Sequence, residues 1–250
     1  MRESYKVASE IPPSQFEEFL RSSPYRKSDY ALIVLFKRPE FTAEMLHGIV
    51  MQTPLSELQK KWDRKPGGGI PVHPPIFSSG LSKESTLIPM KMRRVADHPN
   101  VDVQTLVYLA ENSNSFVQGA VASNPKTPVE ILRKLGQQKN EWIDPALARN
   151  PSTPTDMLDD LVKVYRWGVA ENPNASKETL KKLAQDSDDQ VRFYVAKNPS
   201  LAKEDLEMLA QDPDGFVRLG VLRNPNCPEE IKERLRNDPD EKVQWYFEED

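Results

Sequence analysis

Apolar residues recur along this chain with a helical period and, above it, a much longer one. Leucines stand three apart at Leu106 and Leu109, Leu132 and Leu135, Leu158 and Leu161, Leu180 and Leu183, and Leu206 and Leu209, the spacing that places both on one helix face. An aliphatic residue follows at Val95, Val121, Leu147, Val169, Val195 and Val221, with Ala next to it in every copy but the last, where Leu222 stands. Two residues further on comes His98-Pro99, Asn124-Pro125, Asn150-Pro151, Asn172-Pro173, Asn198-Pro199 or Asn224-Pro225, and successive prolines are 26, 26, 22, 26 and 26 residues apart. The last copy keeps Leu235 but has Lys232 in the other leucine column, with Ile231 beside it. This is an internal repeat.

Each column predicts a piece of structure. Thr127-Pro128-Val129-Glu130 reads as a capping box with proline at the first helical position, and an acid or Gln recurs in the Glu130 column. Asp186-Ser187-Asp188 and Asp212-Pro213-Asp214 should stop that helix and start another, whose inner face carries Val191 and Val195, or Val217 and Val221. The short third interval falls between Leu161 and Tyr165, where a turn has been trimmed without loss of register. Short helix pairs of this kind bury their flanks by stacking, so the predicted fold is an all-α solenoid of helix pairs.

The template extends weakly upstream. Pro39 is followed at the right offsets by Thr42, Glu44, Leu46 and Ile49, and Pro13 by Glu18 and Leu20. The expected organisation is a divergent N-terminal cap over 1–64, a Gly/Pro-rich insertion or linker over 65–90, and six repeats over 91–250. Gly67-Gly68-Gly69 follows no strand and leads to no Lys-Ser or Lys-Thr, so it is not read as a phosphate loop.

The aliphatic-Ala-x-Asn-Pro core, the paired leucines and the Asp-rich turn before Val-Arg resemble the leucine-rich repeat variant family, clearly over 91–250 and weakly over 1–90. That resemblance implies a right-handed superhelix in which α-helices alternate with short 3₁₀ helices, and interaction or assembly roles without fixed chemistry. One architecture of the family carries an iron–sulfur module with clustered cysteines. This chain has a single cysteine, Cys227, so that function is not carried over.

Composition narrows the functions further. Twenty-two prolines against ten glycines would suit a disordered chain, but 38% hydrophobic residues and a net charge of only -4 favour a fold punctuated by proline. A lone cysteine closes no disulfide and builds no Cys-rich metal site, and no apolar run approaches a membrane span, so a cytoplasmic, non-membrane protein is expected. His47, His73 and His98 are scattered, no base stands beside a nucleophile, and neither cofactor nor metal is implied. His98 stands in the Asn column, where a backbone-bonding role at a helix boundary is expected.

Two surfaces remain as candidates. Arg166, Arg192 and Arg218 share a column close to Asp188, Asp214 and Asp240; they read either as ion pairs tying turns together or as a ligand-binding row. The outward face of the second helix gathers Trp142, Arg149, Trp167, Phe193, Lys197, Phe216, Arg223, Lys242 and Trp245, with Pro145 and Leu219. Aromatic and basic residues together are what interface centres are enriched in, although some rings could instead fill gaps between helices. With helices about 8–10 Å apart, six to eight repeats would present a face roughly 50–70 Å long. The leading expectation is a non-enzymatic scaffold for a protein or peptide. The alternative is a nucleic-acid binder gripping with a concave aromatic and basic stripe, favoured by the +4 balance of residues 1–100 and opposed by the -8 of residues 101–250.

Overall fold

The computed structural model describes residues 7–22, 34–59 and 83–248, and the predicted insertion at 65–80 lies outside them. The second helices end at or near the Asn-Pro dipeptide. The residue before a proline is pushed to extended backbone, and Asn124, Asn172 and Asn198 adopt φ/ψ of -76/124°, -75/124° and -67/125°.

In chain order the helices are α1 (Phe16–Ser22), α2 (Ala43–Met51), α3 (Leu55–Leu58), α4 (Lys83–Ala96), α5 (Val103–Asn112), α6 (Ser115–Ser123), α7 (Val129–Gly136) and α8 (Asp144–Arg149). They continue as α9 (Thr155–Leu161), α10 (Arg166–Glu171), α11 (Lys177–Leu183), α12 (Asp189–Lys197), α13 (Lys203–Leu209), α14 (Gly215–Leu222), α15 (Glu229–Leu235) and α16 (Glu241–Glu248). From α5 onward, odd and even labels are the first and second helices of successive repeats. The fold is all-α, with no strand among the described residues. No helix there is long and apolar enough to cross a membrane.

Both members of each pair are α-helical, whereas the family resemblance implied alternation with 3₁₀ helices. The i→i+3 bonds are concentrated in the turns, as where Thr127, Ala175 and Cys227 donate their N–H to the carbonyls of Asn124, Asn172 and Asn224. The capping box is also corrected. Pro128 is the N-cap of α7 and not its first residue, and no side chain caps that helix. Thr127 points the other way: its buried hydroxyl donates to the Val121 carbonyl at 2.5 Å, closing the end of the preceding helix. Thr153 does the same to Leu147 at 2.7 Å. Residues 83–90, expected in the linker, form the first part of α4, with Pro89 inside it.

Two compact units make up the chain, Met1–Ala146 and Leu147–Asp250. In the second unit the even-numbered helices pack against one another, α10 on α12, α12 on α14 and α14 on α16, as in a solenoid. Its core is the repeat pattern itself: Leu158, Leu180, Val169, Val195 and Val221 are fully buried. The buried Asn column adds a ladder. Asn198 Nδ2 donates to the carbonyls of Ala170 (2.7 Å) and Asn172 (2.8 Å), and Asn224 Nδ2 to those of Ala196 (2.7 Å) and Asn198 (2.8 Å). Each Oδ1 accepts the N–H two residues on, from Ser200 and Asn226 at 2.8 Å. One amide thus satisfies carbonyls of the previous repeat and an N–H of its own.

In the first unit His98 imitates this. Its Nδ1 accepts from the Asn100 N–H at 3.1 Å, so Nε2 carries the proton and donates to the Arg38 carbonyl at 3.3 Å. Asn100 Nδ2 bonds the Pro39 and Phe41 carbonyls at 3.0 and 2.7 Å, as Asn174 does those of Pro151 and Thr153. Hydrogen bonds therefore join the Pro39 segment to the Pro99 repeat directly, 60 residues apart in sequence.

Candidate binding surface

Second helices approach closely where a glycine stands. A Cβ on Gly220 would lie 2.9 Å from both the ring and the carbonyl oxygen of Phe193, and one on Gly168 would lie 3.1 Å from Ala148 Cβ. The notch at Gly220 takes in the Phe193 ring, which is 6% exposed and stacks on Phe216 with centroids 4.0 Å apart. The expectation of an outward ring is corrected for Phe193. Leu219, in the same column one repeat on, is also buried.

Other members of the stripe do face outward. Trp167 is 43% exposed and Trp245 58%, while Arg223 and Lys242 are exposed and Lys197 and Phe216 half-buried. The Arg149 guanidinium lies 4.2 Å over the Trp167 ring, which stacks against Tyr194 with centroids 6.4 Å apart. Lys197 Nζ stands 5.3 Å from the Phe193 centroid and 5.8 Å from that of Tyr194. The result is an unbroken cation–aromatic run over α8, α10 and α12 in the second unit. In the first unit Trp142 is half-buried and meets Phe116 edge-on at 5.5 Å, with Arg93 5.1 Å over Phe116. Tyr194, Phe116 and Arg93 were not singled out from the sequence. For Tyr194 the signal was there: glycines at Gly168 and Gly220 hold the same column in the flanking repeats, so a bulky residue between them has room.

The arginine column is fully engaged. Arg192 Nε and Nη2 donate to Asp212 at 2.7 and 3.0 Å, and its Nη1 to the Asp186 carbonyl at 2.9 Å. Arg218 repeats the pattern on Asp238 at 2.7 Å twice and on the Asp212 carbonyl at 2.7 Å. Arg166 reaches both oxygens of Asp186 at 2.9 Å from a more exposed position. The partner column lies two residues before the Asp188, Asp214 and Asp240 column read from the sequence. Those three instead accept the N–H groups of Gln190, Phe216 and Lys242 at the starts of α12, α14 and α16. The Arg218 guanidinium holds the Asp238 carboxyl below its usual range. In the first unit the same column holds Gln118, which bonds the Ala110 carbonyl at 2.7 Å, and Asp144, whose buried Oδ1 has no hydrogen-bond partner. Burial pushes the Asp144 carboxyl up.

Burial also pushes the Cys227 thiol up, away from the reactive thiolate. Among the described residues no group of three or more His, Cys, Asp or Glu is placed to hold a metal ion.

The columns that build both the ladder and the surface stand together in one segment: Arg192 and Phe193, Asn198-Pro199, Leu206 and Leu209, and Asp212. Residues 189–214 match the Leucine rich repeat variant family. The leucine rich repeat variant segment runs from the start of α12 to the residue that caps α14 and so spans one full period, inside a helical-repeat protein. No curated protein and no solved structure matches the chain.

Proposed function

We propose that this protein is a non-enzymatic interaction scaffold that holds a protein or peptide partner on the outward face of its second helices. The observation that carries the reading is the run of Arg149, Trp167, Tyr194 and Lys197, which leaves a 43% exposed indole among cations on successive helices. Large, stiff rings with a basic fringe supply contact area at small entropic cost and are the residues on which binding energy concentrates. The arginine column supports the same view from the other side: its guanidinium forks are filled by Asp186, Asp212 and Asp238, so they brace the array from one repeat to the next.

A nucleic-acid reading has Arg149, Lys197 and Arg223 in its favour. Against it, the rings already carry the protein's own cations, Arg149 over Trp167 and Lys197 beside Tyr194, where a base would need a free ring face. Affinity co-purification with the full chain tests the choice. A protein partner retained by the native chain, lost with Trp167→Ala and kept with Lys181→Glu on the opposite, first-helix side supports the scaffold. Recovery of nucleic acid, with binding that falls steeply as salt rises from about 50 mM, overturns it.

A further inference from the structure

We infer that the surface of the second unit takes an acidic peptide in the polyproline II conformation, one turn of the peptide per repeat, with two acidic residues three positions apart lying over Lys197 and Arg223. The inference rests on the scaffold reading and names its ligand.

Charge is the first argument. Lys197 and Arg223 hold the same column of consecutive repeats, and neither has a carboxylate within ion-pair distance among the described residues. Both stand in a unit that is acidic as a whole, whose arginine column is paired with acids, as are Lys182 and Lys232 on its first helices. Two cations without a carboxylate partner, Lys197 beside the half-buried Tyr194 and Arg223 at an exposed position, complement an anionic, partly apolar segment. The column also dictates where the acids stop: one repeat earlier it holds Glu171, 3.8 Å from Arg149, so the ligand residue facing that repeat must be apolar. Trp167, 43% exposed in that repeat with Arg149 and Tyr194 against its ring, offers an apolar edge to a proline or an aliphatic side chain.

Spacing is the second argument. Packed helices lie about 8–10 Å apart, and the glycine contacts at Gly168 and Gly220 keep these second helices in close packing. Polyproline II rises about 3.1 Å per residue with three residues per turn, so one face of it recurs every ~9.3 Å, in step with the repeats. A β-strand presents one face every ~6.6–6.8 Å and falls out of step after a single repeat. Aromatic-lined surfaces favour polyproline II for the further reason that it arrives already ordered.

Fluorescence anisotropy with the full chain and labelled peptides decides the matter. The probe has the core Pro-Pro-Pro-Glu-Pro-Pro-Glu-Pro-Pro; a control of the same composition places the two glutamates five apart, and a third peptide replaces both by lysine. The in-step peptide is expected to bind at least tenfold more tightly than the out-of-step one and to lose at least tenfold with Lys197→Glu, while the lysine peptide gains on that variant. Arg223→Glu, at an exposed position, should act in the same direction and guards against a folding defect in the first variant. Equal binding of the two glutamate peptides overturns the spacing and leaves the scaffold reading standing. No binding of either overturns the ligand, with the co-purification result then judging the scaffold by itself. An oligothymidine that binds more tightly than the in-step peptide overturns both.

Discussion

The two compact units solve one problem with different side chains. In Leu147–Asp250 the ladder is repeated without substitution: Asn172, Asn198 and Asn224 each bond two carbonyls of the preceding repeat, and Arg192 and Arg218 clamp the next Asp-rich turn. In Met1–Ala146 Asn124 keeps the ladder, donating to the Ala96 carbonyl at 2.7 Å, while other posts are held by stand-ins, His98 for Asn and Gln118 and Asp144 for Arg. Different residues can meet the carbonyl at such a post, as His98 and Gln118 do, and the Arg post is also held by Asp144, which meets none and keeps a buried oxygen unpartnered. The cost of the substitution appears in what conditions each unit withstands.

The largest test of this difference is Asn198→Ala. It strips partners from two carbonyls and one N–H at a fully buried position and should cost about 2–5 kcal/mol, each buried orphan being worth about 1–3 kcal/mol. His98→Ala, which loses one 3.3 Å bond and one from Asn100, should cost less; urea melts that rank the two in reverse would break the comparison. Next comes Arg192→Leu, expected to lose about 1–3 kcal/mol because it leaves Asp212 with its side chain only 7% exposed and without its counter-ion. Adding Asp212→Asn should recover part of that loss in a double-mutant cycle. Gly220→Ala follows at about 1–3 kcal/mol, since the new methyl meets backbone as well as a ring.

The pH response sharpens the contrast. Burial lowers the His98 pKa from 6.5, and the Nδ1 that would be protonated is accepting the Asn100 N–H. The folded state thus binds fewer protons there than the unfolded chain, so this group's stabilisation is complete above about pH 6.5 and drains as the pH falls through the lowered value. In the second unit the Asp238 carboxyl is held below 3.8 by Arg218, and its contribution persists until the pH falls below about 3.8. Hydrogen exchange should therefore show the His98 region loosening at mildly acidic pH while the second unit holds. His98→Asn should abolish the difference. The smallest expected effect is that of Trp167→Ala, under about 1 kcal/mol on the urea melt because the ring is 43% exposed, with its consequence confined to binding.

What was legible in the sequence was whatever repeats. The leucine, valine and proline columns placed helices and core correctly because those residues act locally or by burial alone. The register of polar contacts was harder: Arg192 reaches across 20 residues to Asp212 and not to the nearer Asp188, and Thr127 turns back to Val121 instead of capping the helix ahead. Both choices depend on where a neighbouring repeat puts its carbonyls. The surface was half legible for a related reason. Helical angle alone put Phe193 and Trp167 in one column, but the notch left by Gly220 belongs to the next repeat, and it buries one ring while the other stays exposed.

The pairing of each ladder asparagine with a proline has a chemical consequence. Asparagine ages by deamidation when the backbone nitrogen of the following residue attacks its side-chain amide and closes a succinimide ring. That nitrogen must carry a hydrogen to lose, and proline's does not. Asn124, Asn150, Asn172, Asn198 and Asn224 are all followed by proline, whereas the exposed Asn174 and Asn226 precede Ala175 and Cys227. The dipeptide that ends each helix therefore also shields the buried amides from the commonest spontaneous damage an asparagine suffers, and slow chemical wear should fall on the surface amides while the ladder outlasts them.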